Sequence, residues 1–163
     1  GRTPMSATEK KTFTIERMLK ASPEKVWMMW TTREGLERWW GPEGFNVQVL
    51  HIDVRVGGHF ELIMRTEVTE IVAMLKEGGM GASQRLRGDY TVVEPSRRLA
   101  YANAVDFVPG VAPYKTTTRI ELTAVSGGTR LAVTNDVMHD TMWTERARMG
   151  WEQELGKLER ALA

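Results

Sequence analysis

The sequence predicts an α+β fold: a curved antiparallel sheet of about seven strands wrapped around a long C-terminal helix, with two short helices after the first strand. Three observations predict it. Strand-like alternation and helical periodicity are segregated along the chain instead of interleaved. Successive strand candidates are joined by short Gly-, Pro- or Ser-containing turns, as antiparallel neighbours are. Only one stretch, "HDTMWTERARMGWEQELGKLERALA", carries a long helical stripe.

The elements follow in order. Lys11–Lys20 ("KTFTIERMLK") alternates apolar and polar residues, with β-branched and aromatic members, and reads as a strand. "ASPEKVWMMW" starts a helix: Ser22 at the N-cap, Pro23 at the first helical position and Glu24 in the positively polarised first turn. Val26, Trp27 and Trp30 share one of its faces. A second short helix starts near Thr32 and carries Leu36, Trp39 and Trp40 on its buried side. "ERWWGPEGF" then stops it, because Gly41 takes the left-handed conformation that ends helices and Pro42 cannot continue one. Each tryptophan buries ~150–250 Å², so the pair reads as a plug between the short helices and the sheet rim. Phe45–Arg55 and Gly58–Arg65 form a hairpin around "RVGG", and Arg85–Val93, Arg97–Val105, Tyr114–Val125 and Thr129–Val137 follow, with "EPS" and "SGG" as turns. In the last helix Trp151, Leu155, Leu158 and Leu162 form one stripe. With one apolar sheet face and one long helix to cover it, the sheet must grip the helix.

The chain has 163 residues, which suits one domain over residues 11–163, with residues 1–10 read as a tag remnant or disordered start because Gly1–Pro4 precede Met5. Lys and Arg number 22 against 21 Asp and Glu, a balance that gives no electrostatic reason to expect nucleic acid or an anionic membrane as partner. There is no cysteine, which excludes disulfides and cysteine metal or redox sites. No apolar run is long enough to span a membrane and no signal-peptide pattern is present, so the cytoplasm is the expected compartment.

The stretches "ASPEKVWMMWTTREGLERWWGPEGF", "DVRVGGHFELIMR", "GDYTVVEPSRRLAY", "GGTRLAVTN" and "RARMGWEQELGKLERAL" occur in an order that resembles the START-like SRPBCC superfamily, and more closely its bacterial branch related to the activator of the heat-shock-protein-90 ATPase. The resemblance covers Thr12 to Leu162 and implies a helix-grip fold with a cavity between sheet and C-terminal helix. Activities across the superfamily range from lipid binding to polyketide cyclisation and dehydration to chaperone regulation, and the shared motifs are architectural, not catalytic. The chain departs from the pattern between the third and fourth strands. In place of a short acidic-glycine turn stands "TEVTEIVAMLKEGGMGASQ", residues 66–84, with Val68, Ile71, Val72 and Leu75 at helical spacing. It reads either as an extended hairpin with a mobile tip or as a lid or contact segment, the latter compatible with a homodimer.

Strand alternation assigns the inner face. Phe60, Leu62 and Met64 point inward, as do Gly88, Tyr90 and Val92, while His59, Glu61 and Arg65 point out. Leu99 and Tyr101 carry Asn103 inward; Ile120 and Leu122 carry Thr116 and Thr118; Leu131 and Val133 carry Asn135. One bulge reverses part of any such assignment. An apolar interior holding a few convergent polar groups is what a small-molecule site requires. The expected ligand-binding set is therefore Trp27, Trp40, Phe60, Leu62, Tyr90 and Trp151 as wall, with Tyr101, Asn103, Thr118 and Asn135 as polar groups. The competing reading of the polar residues is a satisfied core network.

Other chemistry finds little footing. His51 and His59 face each other across a hairpin with Asp53 nearby, but zinc takes three or four ligands and no such set is apparent, so no metal or cofactor is expected. Asp140 reads as the last helix's N-cap, with His139 beside it, and Glu145, Arg146, Arg148, Glu152 and Glu154 as that helix's solvated face. The expected function is binding of a small, largely hydrophobic molecule. A cyclase- or dehydratase-like enzyme using Tyr101 and Asp106 is the first alternative, and a chaperone-activator-like interaction module using residues 66–84 the second.

Overall fold

Local chemistry sets the first turns of the molecule, described by a computed structural model over residues 11–163. The expected loose start over residues 1–10 lies outside the described residues. After β1 (Thr12–Leu19), the Ser22 side chain accepts from the Lys25 N–H at 3.2 Å and opens α1 (Pro23–Thr31). Thr32 does the same for Gly35 at 3.0 Å and opens α2 (Arg33–Trp39). Trp40 caps α2, and Gly41 turns the chain away with φ +90°, a conformation a side chain resists. Then come β2 (Phe45–Ile52), β3 (His59–Thr66), α3 (Thr69–Glu77), β4 (Ser83–Glu94), β5 (Arg98–Val105), β6 (Tyr114–Val125), β7 (Gly128–Asp136) and α4 (Thr141–Leu162).

The strands form one seven-stranded sheet in the order β1-β7-β6-β5-β4-β3-β2, with neighbours antiparallel. The fold is the expected α+β architecture. Trp151, Leu155, Leu158 and Leu162 bury the α4 stripe against the sheet's inner face, while α1 and α2 close the remaining side through Val26, Met29, Trp30, Leu36 and Trp39. Asp140 caps α4 by accepting from the Trp143 N–H at 2.7 Å.

An edge strand exposes unpaired backbone groups that invite association. On β2 they are taken up by side chains: the Val49 N–H donates to the Glu37 carboxylate at 2.8 Å, Arg33 donates to the Val49 carbonyl, and Lys157 Nζ donates to the Phe45 carbonyl at 3.2 Å. The other edge, β1, is tied to α4 by Arg17, which pairs with Glu152 and Glu159.

Three expectations need correction. The β4–β5 register shifts between Tyr90 and Val92, so Val93, opposite the buried Leu99, packs on the core in place of Val92. Residues 66–84 do not form a plain extended hairpin: they contain α3, none of whose residues is buried. Glu154, assigned to the solvated face of α4, is 8% exposed.

Candidate ligand site in the interior

Five strands contribute to one row of inward side chains. Register pairs Phe13 with Asn135, Asn135 with Thr118, Thr118 with Tyr101, and Tyr101 with Tyr90. Aromatic rings cover the row. Trp40 stands 5.4 Å from Trp151, 6.4 Å from Phe60 and 6.5 Å from Tyr101, and Phe60 meets Tyr101 edge-on at 5.0 Å. Gly88 makes the last contact possible, because a Cβ there would lie 2.3 Å from the Phe60 ring.

Hydrogen bonding along the row runs in one direction. Asn103 Nδ2 donates to the Thr116 carbonyl at 3.1 Å and to Thr118 Oγ1 at 2.8 Å. A backbone carbonyl only accepts, so the Asn103 amide is oriented by it. Thr118 passes its own proton to Asn135 Oδ1 at 2.6 Å. The Asn135 amide is thereby turned with Nδ2 away from Thr118. Three buried atoms are left without a hydrogen-bond partner among the described residues: Asn135 Nδ2, Tyr101 Oη and Trp30 Nε1. Burial drives the Tyr101 phenol pKa far upward; Trp30 and Thr118, beside its hydroxyl, act in the opposite direction without completing a hydrogen bond, while the Glu154 carboxylate adds to the rise. By contrast Trp39, fully buried, donates to the Met29 carbonyl at 2.8 Å and is structural.

The space left between these groups is small. Trp30, Leu36, Trp40, Phe60, Tyr90, Leu99 and Tyr101 enclose about 10 Å³, room for roughly one water molecule. The ligand-sized gap expected between sheet and helix is filled here by aromatic rings. A larger concavity of about 660 Å³ lies at the β2–β3–β4 end of the sheet, lined by residues such as Asn46, Gln48, Ile63, Arg65 and Ser83. It is open to solvent and includes none of the unpartnered buried atoms, so the interior row is the better-built site.

Of the residues expected from sequence, the structure brings together Trp40, Phe60, Tyr90, Tyr101 and Trp151 as rings, Asn103, Thr118 and Asn135 as a chain, and Leu62 beneath them in the core. Trp27 is only half-buried; α1 instead sends Trp30 inward, 6.4 Å from Trp151. Trp30 shares a face with Val26, a spacing that could have put it on the expected set. Glu154 was legible in the same way, lying between Trp151 and Leu155 on the α4 stripe. Its Oε1 accepts from the Gly41 N–H at 3.1 Å, and burial raises its pKa to about 7 against the opposing effects of that bond and of Lys157. Lys157 Nζ, its own pKa lowered by burial, also reaches the Gly41 carbonyl at 3.0 Å. The two side chains thus hold both backbone groups of the residue following Trp40.

His51 and His59 stack with ring centroids 4.3 Å apart, and His59 Nε2 lies 3.3 Å from Glu61. The hydrogen bond from Arg85 holds the Glu61 carboxyl below its ordinary pKa. No group of three or more potential metal ligands occurs among the described residues.

A sheet gripping its C-terminal helix around an aromatic, sparsely polar interior defines the helix-grip class. The family model for Activator of Hsp90 ATPase homolog 1-like protein matches residues 20–163, and the chain belongs to that family. Among solved structures it is similar to protein CV1439 from Chromobacterium violaceum, at 27% identity and TM-score 0.78, over 93% of this chain and 96% of that one. Protein NE0264 from Nitrosomonas europaea is similar at 25% identity and TM-score 0.71, over 93% of each chain. The AHSA1 protein from Silicibacter pomeroyi shares the fold at 21% identity and TM-score 0.72, over 93% and 97%. The comparison with curated proteins finds no match.

Proposed function

We infer that the protein binds a small, largely apolar molecule between the sheet and α4, acting in the cytoplasm, and that the interior opens to admit it. What carries this is that Trp30 Nε1 and Tyr101 Oη, buried and unpartnered, belong to rings lining one small interior space, and that a third such atom, Asn135 Nδ2, lies in the same inward row, joined to Tyr101 through Thr118. A buried polar group without a partner costs ~1–3 kcal/mol, and three along one interior face call for a ligand or ordered solvent. Apolar burial supplies the affinity and the polar atoms set orientation. Native mass spectrometry of the protein purified from bacterial cells tests the reading. A co-purified small molecule, lost on denaturation, is expected; an unliganded mass from every host, with no interior response to added apolar probes, contradicts it.

The enzyme alternative is weaker. The Tyr101 phenol is held protonated by burial, and Asp106 is exposed, five residues further along and so roughly 17 Å away at strand spacing. One observation favours the interaction-module reading: α3 has no buried residue and leaves Met74 62% exposed. Stimulation of a bacterial Hsp90 ATPase that is lost in Met74→Asp supports this second reading, and an unchanged ATPase rate contradicts it.

A further inference from the structure

We propose that the interior site selects ligands by one neutral hydrogen-bond acceptor, a ketone- or amide-type carbonyl oxygen, received jointly by Trp30 Nε1, Tyr101 Oη and Asn135 Nδ2. This rests on the binding function inferred above and names its ligand class. Hydrogen-bond polarity points to this class. An indole N–H only donates, and so does an amide NH₂. Asn135 has no choice of orientation, because the Thr116 carbonyl orients Asn103, Asn103 donates to Thr118, and Thr118 donates to Asn135 Oδ1. Tyr101, the third group, can also donate, and Trp30 and Thr118 flank its hydroxyl without completing a hydrogen bond. Trp30 and Tyr101 line one space, and Asn135 follows Thr118 in the same row; unpaired donors so grouped call for an acceptor, and a ligand hydroxyl or amine would spend its own proton unpaired there.

Charge decides between acceptors. A carboxylate would enter an interior where burial already drives one carboxyl, that of Glu154, toward its protonated form. Lys157, the cation that acts on Glu154 among the described residues, is turned to the backbone carbonyls of Trp40, Gly41 and Phe45. An anion would therefore meet the same desolvation cost, and repulsion wherever Glu154 is ionised, while Arg148 at the end of the row is engaged over the Phe13 ring. The ligand's apolar body belongs with the Trp40, Phe60 and Trp151 rings, which must shift because the enclosed space is about 10 Å³.

Three probes of matched size test the class: acetophenone, ethylbenzene and benzoate, titrated while the ¹H–¹⁵N signal of the Trp30 indole is followed, with Trp30→Phe supplying its assignment. Acetophenone is expected to move that signal saturably and to bind at least about tenfold more tightly than ethylbenzene, the factor expected for one net hydrogen bond, with benzoate weaker than acetophenone. In Tyr101→Phe the acetophenone advantage should shrink severalfold while the amide spectrum stays native. Equal binding of ethylbenzene, or tighter binding of benzoate, overturns the acceptor class and leaves the interior site standing. No saturable interior response to any of the three overturns the binding function as well.

Discussion

At the scale of single residues, the interior separates polar groups that stabilise the fold from polar groups held in reserve. Thr118 belongs to the first kind. Thr118→Val removes the acceptor of Asn103 and the donor to Asn135, and is expected to cost about 2 kcal/mol in denaturant unfolding. Tyr101 belongs to the second kind. Its hydroxyl has no partner to lose, so Tyr101→Phe should leave stability unchanged or raise it by up to about 1 kcal/mol, against the loss usual for a bonded tyrosine. Equal destabilisation by the two variants would contradict the distinction. The members of the row were legible in the sequence because strand alternation places them: Asn103 with Tyr101, Thr118 with Ile120, Asn135 with Val133. Their bonding was not, since direction along a hydrogen-bond chain depends on which backbone carbonyl lies at its start. Trp30 was missed as a site residue for a simpler reason: three tryptophans crowd α1 and α2, and helical spacing alone does not rank them by depth.

At the scale of elements, the join between α4 and the loop after α2 is the part most sensitive to conditions. Glu154, with a pKa of about 7 against an ordinary 4.5, keeps a proton in the folded chain that the unfolded chain has already released between those values. Stability should therefore fall as pH rises through that window, by up to about 3 kcal/mol. Lys157 and the Gly41 N–H oppose the effect, and the Glu43–Arg160 pair lies alongside. Glu154→Gln keeps an acceptor for Gly41 and has nothing to ionise. Its unfolding free energy should be flatter between pH 5 and 8 than the parent's and higher at pH 8; parallel pH profiles would contradict the assignment. The opposite extreme is α3, which buries none of its residues and should exchange its amide hydrogens much faster than the central turns of α4. Comparable protection of the two helices would show that α3 is covered. Element positions along the chain were legible from caps, turns and periodicity, as Ser22, Thr32, Gly41 and Asp140 show. The bulge at Thr91 was not, because a single inserted residue leaves composition and alternation on either side intact.

At the scale of the whole molecule, the sequence spoke clearly about architecture and only indirectly about volume. A curled antiparallel sheet with one apolar face and one helix able to cover it dictates the grip, and segregated patterning is enough to see it. How completely the space is filled depends on the rotamers of Trp40, Phe60, Tyr101 and Trp151, which no periodicity encodes. In the closed arrangement these rings leave almost no room, so ligand entry must displace packed aromatic surface, and affinity is reduced by that cost. The bound form should still be the more stable one. Acetophenone at ten times its dissociation constant is expected to add about 1.4 kcal/mol, a rise in melting temperature of roughly 3–6 °C for a chain of this size. No rise at a concentration that saturates the Trp30 signal would contradict binding to the folded state.

The most direct measurement is a crystal structure of the protein grown with acetophenone. Density for the carbonyl oxygen is expected within hydrogen-bond distance of Trp30 Nε1, Tyr101 Oη and Asn135 Nδ2, with the Trp40 ring displaced to make room. Density confined to the solvent-open groove beside Asn46, Ile63 and Arg65, over an unchanged aromatic interior, would contradict it.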